Sequence, residues 1–383
     1  SHGGELIETP DNFFRPIDLL QGPDGCVYVV DFTDRRAAHL DPVDSWDRTN
    51  GRVYRIDYKG VPKREVRDLR AAPTAALVVE LENPNKWWRS EARLVLAERG
   101  DKSMNRALRH GVTTATGATA LEWLWALNAA GGLSDEFGAE LLAHRDEYVR
   151  AWAVRLLGER GSEIIRDGDY SLDKFTAKER SPVVLAQIAC TARQLPPELT
   201  ATVVAQLARN PAAATDRHLP LLSWWALEPV LARQPEHFSR AINWVVGSSR
   251  IERIQDILGE NAVRRLMAPD VPGGAAAVAQ DLYSYPTSDP SRRLKGMALA
   301  LRDHPRPAVP EPLRTPLVKL RENHPDNQTV LEVLARMNDP AALKKIIAKI
   351  ADAEFEVDCA EAIDLAKQLK PAGTLDAFRT QFA

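Results

Sequence analysis

A capped amphipathic helix that occurs twice constrains this chain more than any other feature. The first copy opens at Asn85, carries Trp88, Ala92, Val95, Leu96 and Arg99 on one face, and stops at Gly100. The second opens at Asp146 and stops at Gly161; Arg89, Ala92, Leu96, Glu98 and Arg99 return as Arg150, Ala153, Leu157, Glu159 and Arg160. Asn85 can accept a hydrogen bond from a free N–H of the first turn, and Gly100 supplies a left-handed stop. A helix with one apolar stripe buries it only against a like neighbour, so recurrence at fixed spacing predicts a stacked array of helix pairs. From Pro73 onward nearly every segment reads as helix between Gly or Pro turns, among them 102–110, 117–130, 182–194, 217–233, 236–247, 250–267 and 373–381. The run Gly111–Gly117 reads as a loop, and the Gly-Gly pairs at 131–132 and 273–274 as turns between helices. Prolines crowd 284–313 and suggest a boundary between two sub-arrays, 61–285 and 286–383.

Residues 1–60 differ in kind. Gly22-Pro23-Asp24-Gly25 is a strong turn signal, Cys26–Phe32 is rich in β-branched and aromatic residues, and Gly51–Tyr58 alternates as a half-exposed strand does. Three antiparallel strands are expected, a small sheet whose two edges would stay open unless something pairs with them. Trp87 and Trp88 are adjacent, so on a helix they point about 100° apart. One is placed to pack into the next helix layer and the other to face the sheet, which makes the Asn85 helix the expected junction.

Composition excludes several classes. Apolar residues are 44% of the 383, enough for a large core, and the net charge is −3 with signs mixed, which does not suit a nucleic-acid face. No run reaches the ~18 apolar residues of a membrane span, and Ser1–Glu5 does not begin a signal peptide. The three cysteines, Cys26, Cys190 and Cys359, are far apart; no C-x-x-C or C-x-x-C-H occurs, so neither a zinc clip nor a covalent haem site is expected. Buried free thiols are the preferred reading, with a single disulfide left open. No G-x-S-x-G, G-x-G-x-x-G, Walker A or H-E-x-x-H sequence is present.

The stretches Phe13–Asp18, Gly22–Phe32 and Trp46–Ile56 resemble the last propeller blade of the PVC-type (planctomycete and verrucomicrobial) membrane-bound dehydrogenase and haem-binding family. Asn83-Pro84-Asn85 with Trp88-Arg89 is similar to the first repeat of that family. Asp216–Glu228 is similar to its most recognisable mid-array motif. The resemblance implies a fold that is mainly α, a HEAT-like α-solenoid, with a small N-terminal antiparallel sheet resembling a terminal β-propeller blade. It implies an exported or periplasmic setting and a propeller similar to sugar (sorbosone/glucose) dehydrogenases. The cytochrome c domain that family members often carry implies haem c, but this sequence has no segment to hold it, so no cofactor is expected in this chain.

Candidate chemistry concentrates in the polar loop 31–52. His39 could accept a proton, with Asp31 and Asp18 to orient it or bind a cation, and Arg15 completes this catalytic set. Arg35, Arg36, Asp44, Asp47 and Arg52 are the binding candidates of the same loop. The simpler reading is a salt-bridged loop that ties the sheet to the first helices with Trp46 as apolar anchor, and it is preferred because catalysis needs converging groups. Asp41, Asp44, Asp47 and Asn50 recur every three residues, which is not the spacing of a calcium loop, and no metal site is expected. Asp216 and His218 open a helix, where Asp216 is explained by capping; Trp224 and Trp225 could line a ligand groove, although neighbours on a helix cannot both face it. Arg89 and Arg150 are expected to pair with polar groups of the next repeat, and His110, His144, His237, His304 and His324 read as surface residues.

These readings converge on a non-catalytic helical-repeat scaffold whose partner is a protein or another domain of the same polypeptide. An oxidoreductase part whose site is completed elsewhere is the first alternative, and carbohydrate binding through exposed tryptophans the second.

Overall fold

The computed structural model describes residues 8–32, 42–43, 49–57, 65–237, 251–284, 290–303, 308–325, 327–351, 356–371, 374 and 379. It is mainly helical with one small antiparallel sheet, and it divides into two compact units, 1–134 and 135–383.

In the first unit, β1 (Pro16–Gln21), β2 (Val27–Asp31) and β3 (Arg52–Ile56) form a meander in the order β1-β2-β3. Leu19 pairs with Val29 and Val29 with Tyr54, so these three share a face, and a bulge interrupts β1 between Pro16 and Asp18. Gly25 makes the β1–β2 turn with φ of 88°, a conformation that glycine adopts without steric cost. Among the described residues four α-helices follow: α1 (Thr74–Glu80), α2 (Lys86–Arg99), α3 (Asn105–Thr114) and α4 (Gly117–Ala129). α2 packs on α1 and α4, and α3 packs on α4. Helix α3 takes in Gly111–Thr114 of the stretch that the sequence presents as a loop, and leaves Ala115 and Thr116 to connect it to α4. Gly111 is inside the helix because the Trp123 ring of α4 lies against it, where any Cβ would collide.

The second unit holds α5 (Asp135–Glu140), α6 (Glu147–Glu159), α7 (Leu172–Lys178), α8 (Pro182–Ala192), α9 (Pro197–Arg209), α10 (Leu219–Arg233), α11 (Glu252–Leu266) and α12 (Gly274–Ser284). It continues with α13 (Ser291–Asp303), α14 (Glu311–Asn323), α15 (Gln328–Arg336), α16 (Pro340–Ala351) and α17 (Glu356–Leu369). α6, α8, α10, α11, α13 and α15 pack successively side by side, while α7 packs on α9 and α12 on α14 in a second layer. This layered pairing is what buries each stripe: Val154, Leu157, Ile188, Leu227, Leu258 and Leu294 are all fully buried. Most of the expected helix at 236–247 falls outside the described residues, and of 373–381 only Thr374 and Arg379 are described. Helix α7 was not expected; its seven residues carry too short a stripe to show a period.

The repeated helix keeps its hydrogen bonds as well as its sequence. Asn85 Oδ1 caps α2 by accepting from Trp87 N at 2.8 Å, and Asp146 Oδ1 caps α6 by accepting from Tyr148 N at 2.9 Å. Two residues before each cap, unlike side chains do one job. Asn83 Oδ1 accepts from Asn85 N at 2.9 Å, and His144 Nδ1 accepts from Asp146 N at 3.1 Å. Arg89 donates to Glu122 Oε1 at 3.1 Å and to the Asn83 carbonyl at 2.6 Å. Arg150 does the same with Glu179 Oε2 at 2.8 Å and the His144 carbonyl at 2.9 Å. The expected pairing of these arginines with the following helices is therefore present, and each also closes the chain that leads into its own helix.

Candidate functional site

The N-terminal sheet is held to α2 by its turn. Trp88 is fully buried, and its indole Nε1 donates to the Pro23 carbonyl at 2.9 Å; beside it Asn85 Nδ2 donates to the Gly22 carbonyl at 2.8 Å. The amide of Asn85 thus caps the helix with its oxygen and holds the turn with its nitrogen. Trp87 packs edge-to-face on Trp88 with ring centroids 4.9 Å apart. The turn is stiffened from the sheet side by Asp24, which accepts from Cys26 N at 3.1 Å and from the Tyr28 hydroxyl at 3.1 Å and pairs with Arg55 at 3.0 Å. Burial works to raise the Asp24 carboxyl, but these bonds outweigh it and leave the group below its ordinary value.

Beyond the turn the sheet stands open. Ile17, Leu19, Leu20, Val27, Val53, Tyr54 and Ile56 are all exposed, with Ile17 at 64%, Leu19 at 66% and Val53 at 66%. Only Val29 and Asp31 of the strands are buried. Strand residues this apolar belong against something, since a sheet normally covers at least one face.

Of the expected catalytic residues, Arg15, Asp18 and Asp31 are described, and each bonds to nearby main chain. Asp31 is buried and accepts from Arg15 N at 2.8 Å; the Arg15 guanidinium donates to the carbonyls of Asn12 at 2.8 Å and Phe14 at 3.0 Å. Asp18 is exposed and accepts from Leu19 N at 2.8 Å. Arg52 faces Asp31 across the β2–β3 register and lies 3.8 Å from Asp11. Arg15, Asp31 and Arg52 are thus brought to one end of the sheet. His39, Arg35, Arg36, Asp44 and Asp47, and the anchor Trp46, lie outside the described residues. Cys26 is buried and free as expected, whereas Cys190 is free but exposed on α8.

In the second unit Asp216 accepts from His218 N at 2.7 Å and Leu219 N at 2.9 Å, the helix-start role expected of it, and His218 Nε2 accepts from Arg217 Nε at 2.9 Å. Trp224 is nearly buried and lines a cleft of about 290 Å³ with Glu228, Asn261, Arg264 and Arg265; Trp225 points away and is exposed. The adjacent pair therefore does not share a groove.

A second cleft, of about 450 Å³, was not visible in the sequence. It lies within residues 139–180, over an apolar floor of Ala139, Leu142 and Phe175, with Tyr170, Lys174, Lys178 and Arg180 around it. At its base Glu179 accepts from Arg150 through both oxygens and from Ser181 N at 2.8 Å. Burial works to raise the Glu179 carboxyl, but the hydrogen bonds from Arg150, Ser181 N and Arg180 N outweigh it and hold the group below its ordinary value. The signal that could have pointed here is the register of His144 with Asn83, which marks His144 as a helix-entry residue rather than a surface one. Among the described residues no group of three or more His, Cys, Asp or Glu is arranged to hold a metal ion, and no helix is long and apolar enough to cross a membrane.

A family profile described as a domain of unknown function, DUF7133, matches residues 1–60. The match spans the three strands and stops before α1. No curated protein matches the sequence.

Proposed function

We propose that this chain is a non-catalytic helical-repeat scaffold whose N-terminal sheet completes a larger β-structure. That structure would be the remaining blades of a propeller like that of the PVC-type dehydrogenase and haem-binding family, belonging to the same exported polypeptide or to a tightly bound partner. The observation that carries the reading is the sheet itself. It is fixed to α2 through its turn by Trp88 and Asn85, yet seven large apolar side chains on its strands are left to solvent. A three-stranded sheet whose two edges are open among the described residues gains most from further strands. The bonding of Asp31 and Arg15 to nearby main chain supports a structural rather than a catalytic role for that end of the sheet.

The test is to express the chain with the propeller-like polypeptide encoded beside it, and to compare the native pair with Leu19→Lys and Val53→Lys. Both positions are exposed here, so the isolated chain should keep its stability to within about 0.5 kcal/mol. Association measured by sedimentation should be lost. Unchanged association, or the lack of any such β-structure encoded beside this chain, would refute the reading.

A further inference from the structure

The cleft of about 450 Å³ in the second unit carries a charge pattern unlike that of its surroundings. Five arginines of this unit that reach between elements end on carboxylates: Arg150 on Glu179, Arg265 on Glu228, Arg292 on Asp256, Arg302 on Glu332 and Arg321 on Asp339. Arg180 does not. Among the described residues its guanidinium donates only to main-chain carbonyls, those of Ala177 at 3.2 Å and Glu179 at 3.0 Å, through the single nitrogen Nη1. Lys174 likewise donates only to the Gly168 carbonyl, at 2.9 Å. These carbonyls orient the two cations without neutralising them, and Nε and Nη2 of Arg180 keep their donors for another group. Glu179, the buried acid of the cleft, is already engaged by Arg150 and two backbone N–H groups. A planar guanidinium held in this way suits a bidentate oxyanion. Beside it lie the apolar and aromatic side chains of Ala139, Leu142, Phe175 and Tyr170, whose ring is exposed, and the cleft is lined as well by Lys178 and the exposed Asp169. The volume is within the range of small-molecule pockets and far beyond what a bare inorganic anion needs.

We propose that this cleft binds a small aromatic carboxylate, with the ring against Leu142, Phe175 and Tyr170 and the carboxylate on Arg180 and Lys174. The proposal is independent of the sheet and its partner.

The test titrates the 383-residue chain with benzoate, followed by calorimetry and by NMR of labelled protein. Benzamide serves as the neutral isostere, sulfate as the anion without a ring, and a tetraglutamate peptide as the acidic polypeptide. Benzoate should bind with shifts confined to residues 139–144 and 170–180. Arg180→Gln should weaken it about tenfold, the loss expected for a charge-assisted pair, with an unchanged thermal midpoint showing that the fold is intact. Tyr170→Ala should weaken benzoate several-fold without touching the sulfate response. Equal affinity for benzamide would overturn the role of the cations, and equal affinity for sulfate would overturn the role of the rings. Tetraglutamate binding without benzoate binding would overturn the small-ligand assignment in favour of an acidic protein segment, and no response to any probe would overturn the site.

Discussion

The indole N–H of Trp88 donates to the carbonyl of Pro23 across 2.9 Å, joining the first long helix to the tip of a hairpin sixty-five residues earlier. A fully buried tryptophan with its one polar atom satisfied is both packing and fastener. Trp88→Ala should cost on the order of 3–5 kcal/mol in urea denaturation, with Trp88→Phe costing less because it keeps most of the volume. A loss of a few tenths for the alanine variant would show that the turn is held by other means.

The Arg150–Glu179 pair should behave as a buried pair does. Arg150→Ala strands a carboxylate whose side chain is 5% exposed, and about 3–5 kcal/mol of destabilisation is expected. Replacing both, Arg150→Met with Glu179→Leu, should recover much of that loss. A double variant as unstable as the single one would mean that the arginine matters mainly for the His144 and Arg145 carbonyls it also holds.

The same pair sets an acid dependence. The folded-state value of Glu179 lies below its ordinary 4.5, so the native state binds the proton less readily than the unfolded chain. The stabilisation is complete above about pH 5 and is lost as pH falls from the unfolded value through the folded one. Glu332 is shifted in the same direction: burial works against it, but hydrogen bonds from Arg302 and Arg336 prevail. Urea midpoints measured between about pH 6 and about pH 3 should therefore fall, and Arg150→Ala should flatten the acid limb. An identical limb in that variant would remove Glu179 from the explanation.

Gly111→Ala tests a close approach rather than a turn. A Cβ there would meet the Trp123 ring, so a residue that improves helix propensity should instead destabilise, by about 1–3 kcal/mol. A stabilised variant would mean that α3 and α4 lie farther apart.

How much of this was legible follows from how local each signal is. Asn85, Asp146 and Gly100 could be read as helix ends because capping involves only neighbouring backbone, and Gly100 indeed sits at φ 57°. Arg89 and Arg150 could be assigned to the following repeat from their shared position, although Asn85 and Asp146 also lie within i,i+4 reach of them. Gly111 misled, since a glycine inside a helix is explained only by Trp123, twelve residues on. The cleft was invisible for the same reason: Leu142, Tyr170, Lys174 and Arg180 have no common spacing, and that the Arg180 guanidinium ends on carbonyls is a fact of three-dimensional packing. For Asp31 and Arg15 the sequence offered polar atoms but not the main-chain groups that engage them.

The open sheet is tested most directly by hydrogen–deuterium exchange on the 383-residue chain, alone and joined to any propeller-like polypeptide found encoded beside it. Amides of β1 and β3 facing away from β2 should exchange quickly in the chain alone and become strongly protected in the joined form, while those of α6 and α8 stay as they were. Equal exchange of β1 and β3 in both forms would contradict a sheet that is built to be completed.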